Sequence, residues 1–160
     1  IQPEFLQNKF TNEYDLTDYK DWQIGLGRRF SSLKIWALIK NFGVEGIKEN
    51  ILEKIKIAEQ FEELVNSHER FELVCKRELS LVCFRMTKNK KGEAIPESEL
   101  NQINRRLLQE INKSNDFHLV GAEVQGVYFL RCAICSHYTT PKHINEFWNH
   151  IIKSSNELDF

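Results

Sequence analysis

The hydrophobic period of this chain switches between helical and strand-like, and that order limits what the chain can fold into. From Ser31 to Phe42 the apolar residues Leu33, Ile35, Trp36, Leu38, Ile39 and Phe42 fall at helical spacing. Ser31 and Ser32 can cap the start and Gly43 supplies a left-handed stop, so the segment predicts a helix with a broad buried face. Val44, Ile47, Ile51, Ile55, Ala58, Phe61 and Val65 then step by three or four with Glu and Lys opposite, which predicts a long amphipathic helix. After Arg70 the pattern turns strand-like, in Phe71 to Cys75 and Leu79 to Phe84, and Lys88 to Gly92 forms a solvated turn. Pro96, Leu100, Ile103, Leu107, Leu108 and Ile111 define a third helix. Two further strands, Phe117 to Val124 and Val127 to Ile134, flank a Gln125-Gly126 turn. A last helix starts near Thr140, with Pro141 in its first turn and Ile144, Phe147, Trp148, Ile151 and Ile152 inward. The order ββαββα predicts an α+β layer: a four-stranded, mostly antiparallel sheet with helices on one face. Residues 1–20 are polar, lack either period and read as a loop, the kind of segment on which function often sits.

Composition narrows the function classes. With 160 residues, 41% hydrophobic and 28% charged, the chain can build one sizeable core and is not a disordered polymer. Lys plus Arg against Asp plus Glu gives 22 − 23 = −1, which leaves no global field to hold nucleic acid or anionic lipid. The longest apolar run, Ile35 to Ile39, is far below the roughly 20 residues that span a bilayer, so no membrane partner is expected. The chain has no initiator Met or signal region and begins at Ile1-Gln2-Pro3-Glu4-Phe5, which reads as a cut end. Cys75, Cys83, Cys132 and Cys135 lie in or beside apolar strand-like runs, as expected of reduced thiols in a cytoplasmic protein.

Few constellations point to chemistry by residue type alone. Cys132 and Cys135, with His137 and His143 nearby, have a metal-like CxxC spacing. Residues three apart on a strand face opposite ways and a second CxxC is missing, so no metal site is expected and the thiols read as core filler. A nucleophilic cysteine needs a lowered thiol pKa, which a strand interior does not supply. Arg28 and Arg29 after Gly25-Leu26-Gly27 can either present donors to an anion or pair with acids such as Asp18 and Asp21, the latter being favoured. Arg131 inside an apolar strand must reach a carboxylate, a carbonyl or solvent at a domain boundary, a structural ion pair being favoured. His118, His143 and His150 read as surface or satisfied core histidines. The residue types alone thus yield an α+β unit and no activity.

The wording of the sequence goes further. Asp18-Tyr19-Lys20-Asp21-Trp22-Gln23-Ile24-Gly25-Leu26-Gly27-Arg28-Arg29-Phe30, followed by Ser32-Leu33-Lys34-Ile35-Trp36, resembles a signature of the pyridoxal-phosphate-dependent aromatic-L-amino-acid decarboxylases, the group II decarboxylases of fold type I. The resemblance runs from about Pro3 to Ile152, through Arg70-Phe71-Glu72, Leu81-Val82-Cys83-Phe84-Arg85, His118-Leu119-Val120 and Phe129-Leu130-Arg131-Cys132-Ala133-Ile134-Cys135-Ser136. It implies the C-terminal part of such an α/β and α+β enzyme. Residues 1–42 would be the catalytic loop and the end of the large cofactor domain, and residues 43–160 the small domain with its leading long helix.

By the same resemblance the whole enzyme is a cytoplasmic homodimer that removes CO2 from dopa, 5-hydroxytryptophan or a related aromatic amino acid, with pyridoxal phosphate as the electron sink. The family's Schiff-base lysine follows a histidine, and no His-Lys pair occurs in this chain, so the resemblance places the cofactor's anchor upstream and predicts an inactive fragment. In the family a tyrosine on the mobile loop protonates the carbanion, and Phe5 stands at that position here. A phenyl ring donates no proton, and the same exchange accompanies aromatic acetaldehyde synthases, whose longer-lived carbanion reacts with O2. Decarboxylase and aldehyde synthase are therefore both implied. Gly27 matches a substrate-binding position that holds Gly or Ser in relatives, and Gly favours a larger catechol or indole ring. Gly25 and Ser31 depart from the residues common in the family, and neither departure carries a functional meaning. A third reading is a noncatalytic, truncated partner that docks on a full-length subunit.

Overall fold

A computed structural model of the 160-residue chain describes residues 13, 17, 19–22, 29–114 and 116–158. The chain divides into two units, residues 1–43 and 44–160. Among the described residues of the first, the 3-10 turn Tyr19–Trp22 sets the Tyr19 and Trp22 rings edge to face at 5.4 Å. Helix α1, Ser31–Ser67, is interrupted at Gly43, whose φ of 67° and ψ of 175° form a backbone state open essentially to glycine alone. A Cβ at Gly43 would meet nothing within 4 Å, so backbone strain and not crowding calls for glycine. The break falls where the sequence predicts it, although the conformation is a mirror-image extended one and not left-handed helical.

The expected buried face of the first helical stretch is corrected by the structure. Leu33, Ile35, Trp36, Leu38 and Ile39 are all exposed, Ile35 by 65% and Trp36 by 61%. In the second stretch Val44 and Ile51 are also exposed, and burial begins only at Lys54 and continues through Ile57, Ala58, Phe61 and Val65. Spacing shows that a face is apolar, not what covers it, and no described residue buries the N-terminal half of the stripe.

Four strands follow: β1 (Phe71–Leu73), β2 (Leu81–Met86), β3 (Val120–Val124) and β4 (Val127–Ala133). They form one sheet in the order β1-β2-β4-β3 with every pairing antiparallel. Helix α2 (Glu97–Ile111) links the two hairpins and α3 (Pro141–Glu157) closes the described chain. Val82, Phe84 and Met86 of β2 join Leu130 and Cys132 of β4 in one core with residues of α1, α2 and α3, as strand alternation requires. At its centre the Phe61 ring lies 5.4 Å from Phe84, 5.8 Å from Phe147 and 5.9 Å from Trp148, tying α1, β2 and α3 together. The other sheet face carries Cys83, Arg85, Phe129 and Arg131, with Arg85 paired to Glu72 across the strands at 2.6 Å.

Local chemistry explains the boundaries. Gln125 and Gly126 have φ of 50° and 80°, the positive pair that a tight β3–β4 hairpin needs. Pro141 occupies the first turn of α3, and the Thr140 N–H is satisfied by His143 Nδ1 at 3.2 Å. Glu97 and Glu99 place negative charge at the start of α2.

Candidate functional site

The sheet and α3 leave a cleft of about 790 Å³ at one end of the second unit. Leu119, Ile134, Ile144 and Phe147 supply apolar walls, while Arg131, His118, His143, Asp116 and Glu146 bring charge to the rim. Arg131 is exposed and, among the described residues, makes no ion pair, which corrects the expected salt bridge. Its own side chain is exposed at that strand position, so water solvates the guanidinium and no carboxylate is needed.

A buried lysine stands behind the loop that borders this cleft. The Lys54 side chain is only 4% exposed, and its Nζ donates to His137 O at 3.2 Å and Thr139 O at 3.0 Å and lies 3.3 Å from Glu53 Oε2. The two carbonyls and one carboxylate match the three N–H bonds of an ammonium, so the lysine serves as a clamp on residues 137–139. Sequence reasoning passed it over as one of the charged residues of the helix. The available signal was its spacing, three and four residues before Ile57 and Ala58, which puts a cation inside the apolar stripe.

Three asparagines missed by the sequence reading position the sheet. The β2–β4 ladder ends at Phe84 and Leu130, and beyond it Asn104, fully buried on α2, accepts from Met86 N at 2.8 Å and donates to Met86 O at 2.9 Å. One turn earlier Asn101 accepts from Tyr128 N at 2.8 Å and donates to Gly126 O at 2.6 Å. Just past the helix Asn112 exchanges two hydrogen bonds with the main chain of Leu119, at 2.8 and 2.9 Å, where the chain leads into β3. Side-chain amides thus complete main-chain bonding where strands diverge.

Phe5 and Gly27 lie outside the described residues, as do Gly25 and Arg28. His143 and His150 are satisfied: His150 Nε2 donates to Ile111 O at 2.9 Å, and His143 bonds Thr140. Burial pushes the Cys132 thiol up to about 12 and the Cys83 thiol up to about 11, the reverse of what a nucleophile needs. Cys132 is buried and Cys135 exposed, so the CxxC pair diverges in environment. No helix among the described residues is long and apolar enough to cross a membrane.

The cleft among the described residues does not fit pyridoxal phosphate. The cleft contains no lysine, and the ammonium of buried Lys54 is taken by its two carbonyls.

Comparison with known proteins places this arrangement. Residues 1–87 match the model of the pyridoxal-dependent decarboxylase conserved domain. Phenylacetaldehyde synthase of Rosa hybrid cultivar is 41% identical over 150 residues, 92% of this chain and 30% of that protein. Tyrosine decarboxylase 1 of Narcissus pseudonarcissus is 40% identical over 93% of this chain and 29% of its own length. The crystal structure of Oryza sativa TDC with PLP and tryptamine superposes with a TM-score of 0.79 at 34% identity, over 98% of this chain and 32% of that one. The chain spans about 30% of the length of the curated relatives it matches.

Proposed function

Because this chain belongs to the pyridoxal-dependent decarboxylase family, we propose that it is the C-terminal part of an enzyme that decarboxylates an aromatic L-amino acid to its amine and CO2. The observation that carries the reading is identity of 40–41% to enzymes of aromatic amino acids over more than nine-tenths of the chain. Dopa, 5-hydroxytryptophan and tryptophan are the proposed substrates, and a cytoplasmic homodimer is the proposed assembly. Residues 1–42 contribute the catalytic loop and the edge of the large domain, and residues 43–160 the small domain. The remainder of the enzyme supplies the lysine that holds pyridoxal phosphate and the surface that covers the apolar face of Leu33, Ile35 and Trp36.

Phe5 favours a second reading, an aromatic acetaldehyde synthase. Its ring has no transferable proton, so a loop bearing it leaves the substrate carbon unprotonated and open to O2. Gly27 acts in either reading by leaving room for a catechol or indole ring. The two readings separate in one assay: the full-length protein is given dopa under air and its amine, aldehyde and peroxide are quantified. A synthase yields aldehyde and peroxide together, and Phe5→Tyr diverts its flux toward amine. Equal partitioning in both proteins removes Phe5 from the chemistry, and absence of CO2 release from all aromatic amino acids ends the proposal.

A further inference from the structure

A buried guanidinium holds the end of the last helix. Arg70 lies in the turn between α1 and β1, is 6% exposed, and has only uncharged acceptors among the described residues. Its Nη1 donates to Asn156 Oδ1 at 2.7 Å and its Nη2 to Ser155 O at 3.1 Å, both in the last turn of α3. Ser155 O is one of the four carbonyls that a helix leaves unpaired at its C-terminus. Helix α3 has no basic residue of its own in that turn, so Arg70 supplies, from another element, the positive charge that the negative end of a helix favours. The same residue ties down the segment after β2, its Nε donating to Lys88 O at 3.4 Å and its carbonyl accepting from Thr87 N at 2.8 Å.

His68, in the same turn, is set against this cation. Its Nδ1 accepts from Arg70 N at 3.3 Å, and its ring packs edge to face with Phe71 at 5.4 Å and with Trp148 of α3 at 5.8 Å. An imidazole accepts at Nδ1 only while that nitrogen is bare, because both ring nitrogens of the imidazolium are donors. Protonation therefore takes a hydrogen bond from the turn and puts a second positive charge beside a guanidinium whose acceptors are all neutral. Two charged groups act on the ring: Arg70 opposes the proton, and Glu69 favours it more weakly, being exposed and screened by water. Helix α3 meets the ring through Trp148 and β1 through Phe71, neither of which titrates.

We propose that His68 and Arg70 form a proton-operated latch on the C-terminal turn of α3, shut while the imidazole is neutral and released when it is protonated. Burial, then the Arg70 charge, keep the His68 ring below its ordinary value of 6.5, so the latch stays shut at neutral pH and opens as pH falls below 6.5. Release frees the turn that carries Ser155 and Asn156. The middle of α3 stays in place, because Ile144, Phe147 and Ile151 are held in the core. The latch is independent of which product the whole enzyme makes.

Hydrogen exchange of the full-length protein, read by mass spectrometry at about pH 7.5 and about pH 5 and corrected for the intrinsic pH dependence of amide exchange, tests this. The expected result at the lower pH is a loss of protection of about tenfold in peptides covering residues 152–157, with α2 and the four strands unchanged. His68→Asn keeps an acceptor close to the place of Nδ1 and does not titrate, so its last turn stays protected at both pH values. Asn156→Ala removes one of the Arg70 bonds and raises exchange of that turn at both. Asn156 is exposed, so its alanine variant keeps the test independent of folding. Three results overturn the proposal: the same acid response in His68→Asn as in wild type, loosening spread evenly over α2 and the sheet, or a last turn as protected at about pH 5 as at about pH 7.5.

Discussion

Replacing Asn104 with leucine isolates the contribution of a side-chain amide that stands in for a missing strand. Hydrogen bonds from Val74 N to Cys83 O and from Thr87 N to Arg70 O show that Met86 turns its N–H and C=O away from β1. On its other side β4 has already diverged, and Asn104 takes both groups, at 2.8 and 2.9 Å, inside the core. Leucine is close in volume and fully apolar, so the substitution chiefly removes hydrogen bonding. Two buried main-chain groups are left unpaired, each costing about 1–3 kcal/mol, or about 4 kcal/mol together near the middle of that range. Total stability for a domain is about 5–15 kcal/mol, so such a loss removes a large part of it. At about 2–4 °C per kcal/mol, the midpoint of melting drops by about 8–16 °C. Urea unfolding followed by circular dichroism measures it, with the midpoint falling and the slope unchanged. Asn101→Ala provides the contrast, since its bond to Gly126 is exposed and its bond to Tyr128 only part-buried, so water takes over most of them at about 1 kcal/mol. An Asn104→Leu protein within 1 kcal/mol of wild type would show that the main chain of Met86 finds other partners and that the amide bridge is dispensable.

Two further perturbations test the same frame. Burial, then the nearby Arg70 guanidinium, hold His68 below its ordinary value of 6.5, and its Nδ1 accepts from Arg70 N at 3.3 Å as a neutral ring does. The unfolded chain therefore binds the proton more readily, so this contribution is complete above pH 6.5 and is lost as pH falls through the folded value. His68→Gln should flatten the acid side of a plot of urea midpoint against pH, and an unchanged slope would assign acid sensitivity to other groups. At Gly121 a Cβ would stand 2.0 Å from Tyr128 Oη and 2.5 Å from Cζ, with the ring held by Arg105 at 4.1 Å from its centroid. Gly121→Ala is expected to cost about 1–3 kcal/mol by overpacking. Tyr128→Leu, which removes the ring, restores most of the difference in a double-mutant cycle, and strictly additive losses would exclude the clash as the cause.

The elements were legible wherever a period or a turn residue speaks for itself. Gly43, Gln125-Gly126 and Thr140-Pro141 mark boundaries that the backbone follows, because glycine admits the positive φ that a break or tight turn needs and proline fixes φ for a first helical turn. The antiparallel sheet followed from two hairpins joined by a helix. Strand ends were less legible: β1 stops at Leu73 and not at Cys75, because the bend there answers to the Arg77 clamp on α1, a contact made across 15 residues. The asparagines of α2 were invisible for a related reason. A polar residue in a helix reads as solvent-facing until one knows that a main-chain group lacks a partner opposite it, and that deficit exists only once β2 and β4 diverge.

The candidate site separates into what a periodic pattern can encode and what it cannot. Hydrophobic spacing in Leu33, Ile35, Trp36, Leu38 and Ile39 encodes a face intended for burial, yet those side chains are exposed. In Lys54, Ile57, Ala58, Phe61 and Val65 the same spacing encodes a face that is buried, with a cation at its end. The two stretches share one rule and differ only in whether the covering surface lies among the described residues. A lysine inside the second stripe is affordable because His137 and Thr139 present carbonyls to it, each such bond worth more to a charged donor than to a neutral one. Removing that ammonium would take two main-chain hydrogen bonds from the loop at the cleft. The cleft thus depends on a residue that sequence spacing alone assigns to the hydrophobic core.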